Sequence, residues 1–183
     1  MSQTKNKGSL PFNLILIGFM GAGKSTVARC LGKKCAMEII EMDEEIVRRE
    51  QRSIPEIFQQ QGEAYFRNLE TGLLKELQKE TNKIISCGGG AALRAENVAE
   101  MKKNGKVILL TAEPQTILNR VKYDNSRPIL KNRKTVADIA ELMEKRQEKF
   151  QAAARAYQQP DQLYQDASCR FLAMQAGLLA AEL

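Results

Sequence analysis

Alternation dominates this chain, and it encodes an α/β fold in which a parallel sheet carries helices on both faces. Short apolar, β-rich runs at residues 12–17, 38–40, 83–86 and 106–111 are separated by longer stretches of helical composition. The runs are nearly continuous in hydrophobicity, as strands buried on both faces require. A glycine-rich segment joins the first run directly to the first helical stretch, as in a strand–loop–helix unit.

With 183 residues, 43% of them hydrophobic, the chain can build one domain with a substantial core, and a single domain over residues 1–183 is expected. Residues 1–9 are polar and read as a flexible N-terminus without the apolar stretch of a secretory leader. No apolar run reaches the ~18 residues of a membrane helix. The expectation is a cytoplasmic monomer with no membrane partner. The four cysteines, Cys30, Cys35, Cys87 and Cys169, lack CxxC spacing and are expected as free thiols. The chain has no histidine, which excludes a Cys/His zinc site and any Ser-His-Asp or Cys-His nucleophile; acid–base work falls to carboxylates, lysine or water. Its net charge is +6, but lysines and arginines are interspersed with 22 acidic residues and aromatics make up only 5%. No basic stripe with interleaved aromatics appears, so no nucleic-acid partner is expected.

The first strand leads into Gly18, Phe19, Met20, Gly21, Ala22, Gly23, Lys24, Ser25 and Thr26, a full GxxxxGK[ST] phosphate-binding loop. Its glycines let successive backbone N–H groups face a polyphosphate. Lys24 can reach the β- and γ-phosphates, the Ser25 hydroxyl can bind Mg²⁺, and the helix that follows adds a favourable dipole. A nucleoside triphosphate, ATP or GTP, is the expected ligand. The second strand ends at Glu41 and Asp43, two carboxylates which an extended segment would turn to the same side, toward the loop. One could assist Mg²⁺ through water, and the other could orient or deprotonate an acceptor hydroxyl. A plain acidic helix start is the competing account, because Glu44 and Glu45 follow.

Residues 42–82 form a connection longer and more charged than a crossover helix needs, suited to a substrate-binding region. Ser53 to Glu56 reads as a capping box, and Gly62 separates that helix from another over about residues 63–79. Arg67 on the second helix could hold a carboxylate, with Glu70 fixing its guanidinium; an ordinary i,i+3 surface pair is the competing account, and spacing alone favours it. After the third strand, Gly88, Gly89 and Gly90 permit close backbone approach to a ligand at the carboxyl edge of the sheet. Ser86 stands where many phosphate-loop enzymes carry an acidic metal ligand. A helix over residues 114–122 follows the fourth strand. Residues 123–135 are polar, basic and broken by Pro128, as a lid would be. A helix is expected over 136–155, and the apolar patch at 171–174 reads as a fifth strand before a short terminal helix.

Taken in order, residues 18–26, Asp43, Phe66 and Arg67 with Glu70, Gly88 to Gly90 and the run Arg127-Pro-Ile-Leu130 resemble shikimate kinases over about residues 10–150. The resemblance implies a five-stranded parallel sheet like that of nucleoside monophosphate kinases, with a lid and a helical substrate-binding region. It also implies transfer of the ATP γ-phosphoryl group to the 3-hydroxyl of shikimate with Mg²⁺. By the same resemblance, Asp43 would contact the acceptor hydroxyls, Arg67 the carboxylate and Gly89 with its neighbours the ring. Arg127 would be the lid arginine, Arg120 would lie against adenine, and Arg146 would be a second carboxylate-binding arginine. The chain departs from the family at Glu41, where aspartate is usual. It departs again after Arg146, where Gln147-Glu148-Lys149-Phe150 replaces Pro-Leu-Tyr. A later Leu163-Tyr164 pair leaves open a register that would shift the second arginine's role toward Arg155. Two other functions stay open: a kinase of another polyol acid such as gluconate, and a nucleotide-binding module without catalysis.

Overall fold

Strand β1 (Asn13–Gly18) is the centre of the sheet, and every one of its residues is buried. The computed structural model describes residues 10–121 and 135–158, the last four through their backbone alone. The expected N-terminal segment 1–9, the lid apart from Thr135, Arg127, and the stretch 171–174 lie outside the described residues.

From β1 the chain runs through helix α1 (Lys24–Cys35), strand β2 (Glu38–Glu41), helices α2 (Met42–Glu50) and α3 (Ile54–Leu77), and strand β3 (Lys83–Ser86). A single 3₁₀ turn (Ala91–Leu93) precedes helix α4 (Ala95–Lys103), strand β4 (Gly105–Thr111), helices α5 (Pro114–Val121) and α6 (Val136–Ala153), and strand β5 (Arg155–Gln158). All pairings are parallel, in the order β2-β3-β1-β4-β5. Side chains alternate across a strand, so β1 feeds two cores. Leu14 and Leu16 pack with Val27, Leu31 and Ile117 on one face. Ile15 and Ile17 pack with Met42, Phe66, Leu74 and Ile85 on the other. Asn13, fully buried, is satisfied throughout: Nδ2 donates to the carbonyls of Leu77 and Glu80, and Oδ1 accepts from the Lys83 amide. These bonds fix the end of α3 and the start of β3 against the central strand.

The capping box forms at the start of α3, where Ser53 accepts from the Glu56 amide and the Glu56 carboxylate accepts from the Ser53 amide. Gly62 interrupts that helix with φ 80° and ψ 171°. α3 thus consists of two helical halves, as expected, but ends at Leu77 rather than Lys79.

The described residues hold a fifth strand where none was expected. β5 is Arg155–Gln158, directly after α6, pairing Ile108 with Arg155 through Thr111 with Gln158. Its sequence, Arg-Ala-Tyr-Gln, carries little apolar signal because it is an edge strand, paired on one side only among the described residues. α6 ends at Ala153, and Ala154 is already extended at φ −146°, ψ 167°. Cys35 and Cys87 are in no disulfide, as expected, whereas Cys30 is disulfide-bonded, which corrects the expectation for that residue.

Candidate active site

The phosphate loop begins where β1 runs out of space for side chains. A Cβ on Gly18, which has φ 143°, would stand 2.2 Å from the Leu110 carbonyl oxygen of the neighbouring strand. Gly21 and Gly23 take φ 77° and 93°, a region glycine enters without strain. The loop closes on itself through the Ala22 amide, which donates to the Phe19 carbonyl. Lys24 Nζ donates to the carbonyls of Gly18 and Phe19, both at 3.0 Å, so the ammonium is held in the loop's concavity. α1 starts at Lys24 with no side-chain cap and no acidic residue in its first turn. Its first amides are thus left for an anion. Arg120 on α5 donates from Nη1 to the Gly21 carbonyl at 2.9 Å, which fastens the loop from the far side.

Ser25 and Glu41 meet directly: the Ser25 hydroxyl donates to Glu41 Oε2 at 3.0 Å. Glu41 reaches it from β2, over Ser86 of the intervening β3, with which it is in register. Glu41 Oε1 is buried and has no hydrogen-bond partner. Hydroxyl and carboxylate oxygens with one oxygen to spare suit a hard divalent cation such as Mg²⁺, which takes few protein ligands and completes its shell with phosphate and water.

Asp43 is not on an extended segment, which corrects that expectation. It is the second residue of α2, in a first turn that also holds Glu44 and Glu45. The outcome expected of it survives, because the strand ends at Glu41 and the helix starts beside the loop: Glu41 and Asp43 line one cleft of about 680 Å³ with Lys24, Ser25, Arg67 and Glu70. Gly21, Gly23, Thr26, Gly88, Gly89, Gly90 and Arg120 also line it, while Met20, Val47, Ile54, Phe58 and Phe66 give it an apolar wall.

The second half of α3 supplies the cation. Arg67 Nη1 donates to Glu70 Oε2 at 2.8 Å, and Nε and Nη2 donate to Glu63 Oε1 at 3.1 and 2.9 Å. Burial pushes the Glu70 carboxyl up to about 7, opposed by Arg67 and reinforced by Asp43. Burial likewise raises the Cys87 thiol and keeps it inert beside these carboxylates. The triple glycine threads between the charged groups. A Cβ on Gly88 would stand 2.6 Å from Asp43 Oδ1 and 2.7 Å from Glu70 Oε1, and one on Gly89 3.2 Å from the Met20 amide nitrogen.

Two expected residues among those described do not line this cleft: Ala22, which is buried in the core, and Arg146. The guanidinium of Arg146, on α6, lies 5.7 Å from the centre of the Phe19 ring. Arg127 lies outside the described residues. Arg155, the alternative to Arg146, falls within β5. Sequence reasoning missed Thr71 and Asn97, which tie α3 to the glycine turn. Thr71 could have been noticed as one turn beyond Arg67; nothing local marks Asn97.

A parallel sheet with a phosphate loop at its centre and an acceptor cleft holding a carboxylate and a paired arginine defines a small-molecule phosphotransferase. The sequence model of the shikimate kinase family matches residues 20–173. The shikimate kinase of Persephonella marina is 42% identical over 142 residues, covering 77% of this chain and 85% of that one. The shikimate kinase of Neisseria meningitidis serogroup C is 39% identical over 157 residues, covering 86% and 89%. Among solved structures, the Acinetobacter baumannii shikimate kinase in complex with shikimate aligns with a TM-score of 0.85 at 30% identity, over 92% of this chain and 95% of that one. A deoxyadenosine kinase from M. mycoides, at 16% identity and a TM-score of 0.59, shares the fold. The chain belongs to the shikimate kinase family.

Proposed function

We propose that this chain transfers the γ-phosphoryl group of ATP to the 3-hydroxyl of shikimate, giving shikimate 3-phosphate and ADP on the route to chorismate and the aromatic amino acids. The observation that carries this reading is the meeting of Asp43, Arg67 and Glu70 across the triple glycine, in the same cleft as Lys24 and Ser25. A hydroxyl acceptor that also bears a carboxylate fits a site with one carboxylate for the hydroxyl and one fixed cation for the acid group.

Phosphoryl transfer through a loose transition state needs alignment and positive charge more than a strong base. Lys24 exchanges its two loop carbonyls for the β- and γ-phosphates. Ser25, with Glu41 through water, would hold Mg²⁺, which would offset charge on the phosphates. Asp43 accepts a hydrogen bond from the acceptor hydroxyl, orients it and takes its proton. Arg67, steadied by Glu63 and Glu70, grips the carboxylate, and Gly88 to Gly90 let the backbone approach the ring. Residues 42–82 serve as the acceptor region and 123–135 as the lid, with Arg127 meeting the phosphates. Arg120 lies against adenine. Arg146 is the second carboxylate-binding arginine, a role that requires its guanidinium to turn from the Phe19 ring toward the cleft; β5, directly after α6, puts Arg155 on the edge strand. A cytoplasmic monomer is the proposed state. No helix among the described residues is long and apolar enough to cross a membrane.

A coupled ADP-release assay with shikimate and, separately, gluconate tests the reading, alongside Asp43→Asn, Arg67→Ala and Arg146→Ala. Shikimate-dependent ADP release, lost or strongly reduced in the variants, is expected. Release with gluconate and none with shikimate overturns it, and a normal rate in Arg146→Ala removes that residue's role.

A further inference from the structure

Thr71 and Asn97 are buried polar residues that line no part of the cleft, at 6% and 0% exposure, yet their hydrogen bonds run from one wall of the acceptor site to the other. The Thr71 hydroxyl stands 2.6 Å from Asn97 Oδ1 and 3.0 Å from the Arg67 carbonyl and shares its single proton between them, the shorter contact to Asn97 taking the larger part, while Arg94 Nη1 donates to its oxygen at 3.5 Å. Asn97 Nδ2 donates to the Ala91 carbonyl at 2.9 Å. The orientation of the Asn97 amide follows from its partners: the Ala91 carbonyl can only accept, so the amide nitrogen must face it and the oxygen must face Thr71. Ala91 is the residue after Gly90, and its own amide donates to the Gly88 carbonyl. The bonds therefore link the backbone of the cation-bearing residue to the turn that presents the three glycines.

We infer that Thr71 and Asn97 are positioning residues for the acceptor: they set the spacing between the Arg67 guanidinium and the Gly88–Gly90 backbone without touching either ligand. The spacing is tight, because the space beside Gly90 is filled by the guanidinium itself. This inference rests on the proposed reading of that subsite. A buried amide pairing with a hydroxyl on one side and a carbonyl on the other leaves no slack, since releasing either partner would strand a polar group away from water. The nucleotide half of the cleft hangs from β1 and α1 and has no bond to this pair.

Steady-state kinetics of Thr71→Val, which keeps the shape and removes the hydroxyl, should show the acceptor KM raised on the order of tenfold, while the ATP KM stays within about twofold. Thr71→Ser restores the hydroxyl and should recover most of the loss. A second measurement needs no acceptor: amide hydrogen exchange at Ala91 and Leu93 in the free protein should accelerate in Thr71→Val and Asn97→Ala and remain slow in Thr71→Ser. If wild type fails to turn over shikimate, the functional reading falls and the exchange result still tests the spacing role. Both KM values moving together, or unchanged exchange at Ala91 and Leu93, overturns the inference.

Discussion

The backbone of Gly90 lies against the guanidinium of Arg67: a Cβ on Gly90 would stand 2.5 Å from Nη1 and 2.6 Å from Nη2. Those atoms are the far end of a flexible side chain, so an added methyl group would displace the arginine rather than the fold. Gly90→Ala is expected to melt within a few degrees of wild type yet to raise the shikimate KM about tenfold or more, because a displaced cation no longer meets the carboxylate in line. Kinetics and a thermal melt on the same preparation check this. An unchanged shikimate KM would mean that the guanidinium has another productive position.

Gly18 poses the opposite case. Its absent Cβ would meet a backbone oxygen, that of Leu110, at 2.2 Å, and its φ of 143° is unfavourable for any L side chain. The central strand pair has no flexible end to move. Gly18→Ala should therefore cost roughly 3 kcal/mol or more, seen as a large drop in Tm or loss of folded protein. A mild melt with only kinetic damage would contradict the packing.

Glu70 ties stability to pH. Its carboxyl is raised from an ordinary 4.5 to about 7 by burial, so the folded chain favours the protonated form. Between those two values the folded state binds more protons than the unfolded state, and stability falls as pH rises. The contribution is fully present below about 4.5 and lost as pH climbs through about 7. Urea melts of the free protein across this window should show the decline, and Glu70→Gln should remove that part of the slope. An identical slope in the variant would place its origin elsewhere.

The donor half of the site was legible because its chemistry is contiguous. From Gly18 to Thr26 the loop, its lysine and its hydroxyl follow one another in the chain, and the fold had only to turn the amides inward. Arg67 and Glu70 were legible as a pair three residues apart, but spacing could not say that the pair is buried and faces Asp43; only the packing of α3 on the sheet decides that. Asp43 was assigned to the cleft through an extended geometry that it does not have. The edge strand β5 escaped notice since its stability comes from backbone bonds to β4, which leave no mark on side-chain hydropathy. Asn97 was silent for a similar reason: its partners stand on α3 and beyond the glycines, and no local pattern records them.

Glu41 is the chain's departure from the usual aspartate, and the structure supplies a reason to expect it to work. β3 stands between β2 and the central strand, about 4.8 Å of sheet per strand, and the residue of β3 in register with Glu41 is Ser86, which has no carboxylate to offer. The extra methylene carries the Glu41 carboxylate across to Ser25, where the contact forms at 3.0 Å. Glu41→Gln should raise the Mg²⁺ concentration for half-maximal rate by about 10- to 100-fold at saturating ATP and shikimate, as loss of a residue that orients a metal ligand does. Ser25→Ala should do at least as much. Glu41→Asp keeps the charge but is shorter by one methylene, so in this backbone its Mg²⁺ requirement should lie between wild type and Glu41→Gln. Titrating Mg²⁺ in the ADP-release assay checks the order of the three variants. An unaltered Mg²⁺ requirement in Glu41→Gln would confine the carboxylate to holding Ser25 in place and remove it from the metal's surroundings.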